Sequence, residues 1–211
     1  MTPTTEGRPA RLGILLSGRG SNFLALQGAI TRGELPATTA VVVSDVVGAP
    51  GLQRATELGL QTLAVPRGAF GDRHAHEEAI LAALVARGVE WVCLAGFMRL
   101  LSARFVRAFP QRILNVHPSL LPSFPGLHAQ RQAIEHGVKV SGCTVHFVDE
   151  GLDSGPVVVQ RAVPVRDDDD EATLGARILE QEHKAYPEAV RRLLTEPWRV
   201  DGRRVRFGVG R

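Results

Sequence analysis

The sequence predicts an α/β fold built largely from parallel strands. Apolar runs of strand length alternate along the chain with longer segments whose apolar residues recur at helical spacing. The runs at 40–44 (AVVVS) and 91–95 (WVCLA) are apolar throughout, as expected of strands that are covered on both faces. The strands predicted at 143–148 and 157–165 are joined by a loop too short for a helical crossover, so this pair should be antiparallel.

The composition is that of an ordinary globular protein, which needs neither a disulfide nor a structural metal to be stable. With 211 residues, of which 44% are hydrophobic and 22% charged, the chain is long enough to bury a full core. Cys93 and Cys143 stand alone in apolar surroundings and are predicted to be reduced core residues of a cytoplasmic protein. We expect residues 1–10 to form a disordered tail and residues 11–207 to form a single domain.

Charge and hydropathy argue against nucleic-acid and membrane partners. The formal net charge is +3, the basic residues are scattered among acidic ones, and aromatic residues make up 5% of the chain. A nucleic-acid surface would need clustered basic residues. No apolar run approaches the length of a membrane span, and residues 1–10 lack the apolar core of a signal peptide. The sequence therefore predicts neither nucleic-acid binding nor membrane binding.

The first predicted strand, residues 11–16, runs into the glycine-rich turn SGRGSN at 17–22 and then into a helix. This arrangement aims backbone N–H groups at an anion, so the turn is a candidate phosphate site. The turn matches neither the Walker pattern nor the dinucleotide fingerprint. A tight turn with Ser21 or Asn22 as the helix cap explains the same residues equally well in isolation.

Two helices are predicted at 50–58 and 72–86, with a short strand at 61–65 between them. Asp72 is the expected N-cap of the second helix. Arg73 then lies in the first turn, where a cation opposes the helix dipole. A surface arginine is the default interpretation, whereas a nearby ligand carboxylate would explain the position better.

Large apolar residues follow the strand at 91–95. Too many of them occur for an exposed loop: Phe97, Met98, Leu100 and Leu101. They form either a cap over the core or the wall of a pocket for a flat aromatic ligand, to which Met and Phe adapt well. Ser102 is predicted to cap the short helix that follows.

The strongest functional signal is the segment ILNVHPSLLPSFPGL at 113–127. Asn115 and His117 alternate with Val116 in an apolar strand, so both side chains should point to one side. The strand breaks at Pro118, and ligand crevices in open α/β sheets lie at the carboxyl ends of strands. Either polar residue alone would most simply be structural, whereas the pair before a rigid proline-rich loop indicates a functional site.

The rest of the chain adds a helix at 127–136, an acidic loop at 149–156 and a hairpin at 198–207. The five acidic residues at 167–171 should be solvated at a helix N-terminus. In that last helix Glu182 falls on the apolar stripe, where a carboxylate is costly unless it is paired. Glu182 is therefore either salt-bridged or a ligand contact.

These motifs together resemble the folate-dependent formyltransferases. The match covers residues 11–194 in order and depends on SGRGSN, AGFMRLLS, NVHPSLLPSFPGLH, TVHFVDEGLDSGPVVVQ and QEHKAYP. The segment NVHPSLLP resembles all family members that use 10-formyltetrahydrofolate, whereas SGRGSN and QEH resemble the phosphoribosylglycinamide formyltransferases among them. The resemblance implies a three-layer α/β/α Rossmann-like domain with a mostly parallel seven-stranded sheet, one antiparallel strand and a C-terminal hairpin.

The resemblance also implies the residues of the site. The implied catalytic residues are Asn115, His117 and Asp153. Glycinamide ribonucleotide would be held at its phosphate by Gly20, Ser21 and Asn22, and at its ribose by Glu182. The folate would contact a larger set: Arg73, Met98, Arg99, Leu100, Leu101, Asn115, Asp149, Glu150, Gly151 and Leu152. His146 would support the catalytic residues without contacting substrate, and the Leu121–Pro122 peptide bond would be cis.

The implied reaction transfers the formyl group of the cosubstrate 10-formyltetrahydrofolate to the amine of glycinamide ribonucleotide in purine synthesis. Charge develops on the formyl oxygen during attack, so Asn115 and His117 suit oxyanion stabilisation and Asp153 suits proton relay. No metal is implied, because the histidines show no ligand spacing. Small-molecule substrates, a cytoplasmic location and a monomeric or homodimeric state complete the expectation.

Two other functions stay open. One is a sister enzyme with the same core, either formyltetrahydrofolate deformylase or methionyl-tRNA formyltransferase. Such enzymes normally carry an additional domain, for which we expect no room in this chain. The other is a non-enzymatic nucleotide-binding module in which His117 is structural.

Overall fold

The computed structural model describes residues 7–208, which form two compact units. The first unit extends to Leu114, and the second begins at Asn115. Residues 1–6 of the predicted tail lie outside the described residues. Ala10, which the sequence places in the tail, is buried at the start of the first strand and donates its N–H to Pro36 O at 2.9 Å. A single domain over residues 11–207 stays a prediction.

The described residues of the first unit contain four complete parallel strands, the first two residues of a fifth strand, and four α-helices. The strands β1 to β4 are Ala10–Leu16, Ala37–Ser44, Thr62–Ala64 and Trp91–Leu94. The helices α1 to α4 are Ser21–Thr31, Pro50–Glu57, Arg73–Ala86 and Ala103–Ala108. The strands lie side by side in the order β3, β2, β1, β4.

The core of the first unit is centred on β1, which pairs with strands on both of its edges. Ile14 lies opposite Val42 of β2 and Cys93 of β4, and all three side chains are fully buried. Such burial explains the uninterrupted apolar run in β1, because a strand covered on both faces has no solvent-facing positions.

The second unit contains the end of β5 (Ile113–His117) and, after it, four strands and two helices within the described residues. The strands β6 to β9 are Val140–Phe147, Val157–Pro164, Trp198–Asp201 and Arg204–Phe207. The helices α5 and α6 are Ala129–Glu135 and Glu171–Thr195. As predicted, β6 and β7 are antiparallel, and β8 and β9 form an antiparallel hairpin.

Helix α6 buries the predicted apolar stripe, which consists of Leu174, Ile178, Ala185 and Ala189. Its N-terminus is fixed by a reciprocal cap in which Asp170 Oδ1 accepts the N–H of Thr173 at 2.8 Å and Thr173 Oγ1 accepts the N–H of Asp170 at 2.9 Å. The predicted solvation of the acidic run is wrong at Asp169, whose side chain is buried against Arg177 at 2.7 and 2.8 Å. The guanidinium of Arg177 holds the pKa of Asp169 well below its usual range.

These elements confirm the predicted α/β fold with mainly parallel strands and a C-terminal hairpin. The predicted helix at 127–136 is shorter, because His128 precedes it in a left-handed conformation with φ 57°. No helix between residues 7 and 208 combines the length and the apolar composition that crossing a membrane requires.

Candidate active site

The glycine-rich turn predicted to bind phosphate joins β1 to α1. Gly20 is the N-cap of α1 in a left-handed conformation (φ 69°, ψ 29°), and Ser21 is the first helical residue. The predicted side-chain cap from Ser21 or Asn22 is wrong, because both residues already lie inside the helix. The turn therefore presents the N–H groups of the first helical turn at the end of β1, which is the geometry that binds anions.

Close packing of two backbones fixes this turn. A Cβ on Gly20 would lie 3.0 Å from Gly51 Cα and 3.1 Å from Leu16 Cδ2. Gly51 of α2 donates its N–H to Gly18 O at 3.0 Å. A larger residue at position 20 would have to adopt an unfavourable positive φ and displace α2.

Polar contacts connect this turn to the segment after β4. Ser17 donates its hydroxyl to Asp45 Oδ1 at 2.6 Å and accepts the N–H of Met98 at 3.0 Å. Arg99 Nε donates to Asp45 Oδ2 at 2.9 Å. Because Asp45 is buried, the hydroxyl and the guanidinium compensate for the loss of water around its charge.

A cavity of about 240 Å³ lies in the first unit, and the predicted folate residues of that unit line it: Arg73, Met98, Arg99, Leu100 and Leu101. Met98 and Leu100 are 67% and 64% exposed. This exposure favours a pocket wall over a core cap for these two side chains. Sequence reasoning missed four other lining residues: Arg67, His76, Glu77 and Ile80.

Helical spacing from Arg73 identifies three of the missed residues, because His76, Glu77 and Ile80 follow it on the same face of α3. Arg73 Nε donates to Glu77 Oε1 at 2.9 Å, and Arg73 Nη2 donates to Leu100 O at 2.6 Å. The carboxylate beside Arg73 thus comes from its own helix. Asp72 and Ser102 cap α3 and α4 as predicted, accepting the N–H groups of Ala75 and Phe105.

The predicted catalytic residues meet in the second unit, at the end of β5. His117 Nδ1 lies 3.4 Å from Asp153 Oδ2, and His146 Nε2 lies 3.7 Å from Asp153 Oδ1. Asn115 Nδ2 lies 3.4 Å from His146 Nε2. Both histidines are buried, with 5% exposure for His117 and 2% for His146. Strands β5 and β6 therefore place two imidazoles beside one carboxylate, and the Asn115 amide contacts the imidazole of His146.

Both ring nitrogens of His117 are engaged. Nε2 lies 2.8 Å from the carbonyl oxygen of Phe124, which only accepts, so Nε2 carries a hydrogen. Nδ1 faces Asp153. Since the Nε2–H already donates to Phe124, it can donate to a substrate oxygen only after this bond is released.

The loop that carries Asp153 is shaped by its own hydrogen bonds. Asp149 Oδ1 accepts the N–H of Gly151 at 3.1 Å and the hydroxyl of Ser154 at 2.7 Å. Asp153 has a φ of 49°, an unfavourable value that places its carboxylate within 2.8 Å of the N–H of Gly126. The other predicted folate residues, Asp149 to Leu152, belong to this loop.

Comparison with known proteins decides the family. A family model described as formyl transferase matches residues 10–190. The chain belongs to the formyl transferase family. The resemblance found in the sequence is therefore confirmed over both units.

The relatives of this formyl transferase include phosphoribosylglycinamide formyltransferase of Escherichia coli K12, which is 42% identical over 190 residues, covering 90% of this chain and 87% of that protein. Glycinamide ribonucleotide transformylase 1 from Symbiobacterium toebii has a solved structure with 48% identity and a TM-score of 0.94, covering 98% of this chain and 99% of that one. The trifunctional purine biosynthetic protein adenosine-3 of Drosophila melanogaster is 48% identical over 190 residues, 89% of this chain, and the chain spans 14% of its length.

The proline-rich loop of this formyl transferase is held by Thr144 of β6. Thr144 Oγ1 accepts the N–H of Leu121 at 3.0 Å and donates to Ser119 O at 2.7 Å. Gln160 of β7 donates to Leu121 O at 2.8 Å. The Leu121–Pro122 peptide bond is cis, as predicted. Because Ser119 and Thr144 are fully buried, these bonds fix the start of the loop in the interior.

The cysteines of this formyl transferase are buried thiols, as predicted. Burial first, and then the charge of Glu182, raise the pKa of Cys143 to about 12. Cys143 is thus protonated near neutral pH and unsuited to act as a nucleophile. Glu182 is 7% exposed, and its contact with ribose stays a prediction.

His146 is held as a neutral imidazole. Its Nδ1 lies 2.9 Å from Phe147 O and therefore carries the hydrogen, which leaves Nε2 to accept from the amide of Asn115. Burial lowers the pKa of His146, although Asp153 acts in the opposite direction. A neutral His146 thus orients the Asn115 side chain.

Acidification is expected to destabilise the protein through His146. The unfolded chain binds a proton near the ordinary pKa of 6.5, whereas the folded chain keeps the ring neutral to lower pH. Above about pH 6.5, His146 makes its full contribution to the free energy of unfolding. Below that pH the contribution declines, by at most about 1.4 kcal/mol per pH unit. Denaturant titrations between about pH 7 and 5 should show a shallower decline in His146→Asn, and an equal decline would contradict this account.

Proposed function

We propose that this chain transfers the formyl group of 10-formyltetrahydrofolate to the amine of glycinamide ribonucleotide, in purine synthesis. The observation that carries the proposal is the pair formed by the buried His117 and Asp153, beside Asn115 at the carboxyl end of β5. The identity to phosphoribosylglycinamide formyltransferases over most of the chain supports this choice of donor and acceptor.

The cluster suits direct transfer through a tetrahedral intermediate. When the amine attacks the formyl carbon, negative charge develops on the formyl oxygen, and fixed donors to that oxygen lower the barrier by about 3–4 kcal/mol each. Asn115 supplies an amide N–H, and His117 supplies its Nε2–H once the bond to Phe124 O is released. Asp153 orients the imidazole and relays the proton from the attacking amine toward the departing folate nitrogen.

The ribonucleotide is held at two points in this proposal. The backbone of Gly20, Ser21 and Asn22 donates to the phosphate, because the first turn of α1 follows the glycine turn directly. Glu182 accepts from the ribose hydroxyls, for which a carboxylate provides two oxygens.

The cosubstrate is assigned to the cavity of the first unit and to the loop of Asp153. Met98, Leu100 and Leu101 offer apolar contacts, while Arg73 and Arg99 offer charge. In the loop, the residues assigned to the folate are Asp149, Glu150, Gly151 and Leu152. We further propose small-molecule substrates only, a cytoplasmic location, a monomeric or homodimeric state and no metal requirement.

The direct test mixes the purified chain with 10-formyltetrahydrofolate and glycinamide ribonucleotide and follows the folate absorbance. A change that requires the ribonucleotide is expected. A change of equal rate without the ribonucleotide would indicate a deformylase. The deformylase of Pseudomonas syringae shares this fold, with a TM-score of 0.87 at 24% identity. No change under either condition would refute both activities.

A further inference from the structure

His117 and Asp153 are both bonded to the backbone of residues 124–128, which we term the support segment. Phe124 O accepts the Nε2–H of His117 at 2.8 Å, and the N–H of Gly126 donates to Asp153 Oδ2 at 2.8 Å. The same Oδ2 lies 3.4 Å from His117 Nδ1. The spacing between imidazole and carboxylate is therefore set by two backbone groups that stand two residues apart.

The support segment does not adopt this shape by backbone preference. Phe124 and His128 have φ values of 53° and 57°, and Gly126 has 81°. A left-handed conformation costs a residue with a side chain about 1–2 kcal/mol. The segment lies in the connection between β5 and α5, outside regular secondary structure. Contacts from side chains must therefore compensate for the strain.

Gln132 of α5 provides such a contact. Its Nε2 donates to Leu127 O at 2.9 Å and lies 3.4 Å from Pro125 O. These two carbonyl groups alternate along the chain with Phe124 and Gly126, whose backbone holds the catalytic pair. Ala129 and Ala133 are buried on one face of α5 and hold this helix in place. Gln132 therefore projects from a fixed helix.

We propose that Gln132 is a positioning residue for formyl transfer. Its amide holds two carbonyl groups of the support segment, and the segment in turn fixes the distance between His117 and Asp153. The inference rests on the proposed function and adds to it a residue that acts on the catalytic pair only through backbone.

The test replaces Gln132 by methionine, which has a similar volume and no donor. We expect Gln132→Met to lower kcat about 10- to 100-fold, because a displacement of about 1 Å at reacting groups costs about 100-fold. The KM of each substrate should stay within about threefold, since binding groups are untouched. Gln132→Lys keeps a donor and should recover part of the rate. Gln130→Met, the same change on the same helix, should leave kcat unchanged.

A second measurement does not depend on turnover. The imidazole 15N and 1H signals of His117, assigned by their loss in His117→Ala, should shift in Gln132→Met and stay constant in Gln130→Met. Unchanged signals, an unchanged kcat, or equal losses in both methionine variants would each overturn this role. Absence of formyl transfer by the wild-type chain would instead refute the proposed function.

Discussion

Replacing His117 by alanine is expected to lower kcat about 100- to 1,000-fold, which is the range for removing one donor from an oxyanion site. The side chain is buried against Asp153 and Phe124. In the proposed mechanism it acts at the reacting carbonyl and contributes little to holding the distant parts of either substrate. The KM values should therefore change by less than about threefold. Steady-state kinetics with each substrate varied in turn measure both quantities.

Two further variants make this result specific. Asp153→Asn keeps the size of the side chain and removes the charge that faces His117 Nδ1, so kcat should fall to a similar extent. His74→Ala removes an exposed histidine from α3 and should leave kcat within about twofold. Near-wild-type turnover by His117→Ala would rule out the proposed mechanism.

A change at Gly20 should weaken ribonucleotide binding selectively. Gly20→Val must adopt a positive φ and push against Gly51 Cα, so the N–H groups at the start of α1 are displaced. We expect the KM for glycinamide ribonucleotide to rise about 10- to 100-fold while the KM for the folate stays within about twofold.

Gly18→Val is the matched control for this variant. A Cβ on Gly18 meets no atom within 4 Å, so the same substitution two residues earlier should leave both KM values unchanged. Thermal unfolding of both variants identifies any general damage to the fold. An equal rise of both KM values in Gly20→Val would indicate such damage, and no rise in either would remove the phosphate site from this turn.

The sequence predicts the parts of this site that depend on local pattern. Asn115 and His117 are detectable because polar residues at alternate positions interrupt an apolar strand just before proline. Their proximity to His146 and Asp153 follows from resemblance alone, because contacts between distant parts of the chain leave no local signal. The cavity residues His76 and Glu77 were detectable in principle, since they share a helix face with Arg73.

Other features of the site have no signature in a single sequence. Phe124 acts through its carbonyl oxygen, a group common to all residues, and its positive φ is unusual for an aromatic residue. Gln132 also bonds to backbone, so the sequence does not reveal its partners. Asp169 looks solvated among neighbouring acids, and only the fold brings Arg177 to it.

The positions of the two cysteines allow local unfolding of each unit to be measured separately in the native chain. Cys93 lies in the first unit and Cys143 in the second, and both thiols are fully buried. Alkylating reagents need an accessible thiolate, so each cysteine is modified only during the fraction of time in which its surroundings unfold. The labelling rates of the two positions, separated by peptide mass spectrometry, therefore give an opening free energy for each unit without any introduced probe. Equal rates would mean cooperative opening, and unequal rates would identify the less stable unit.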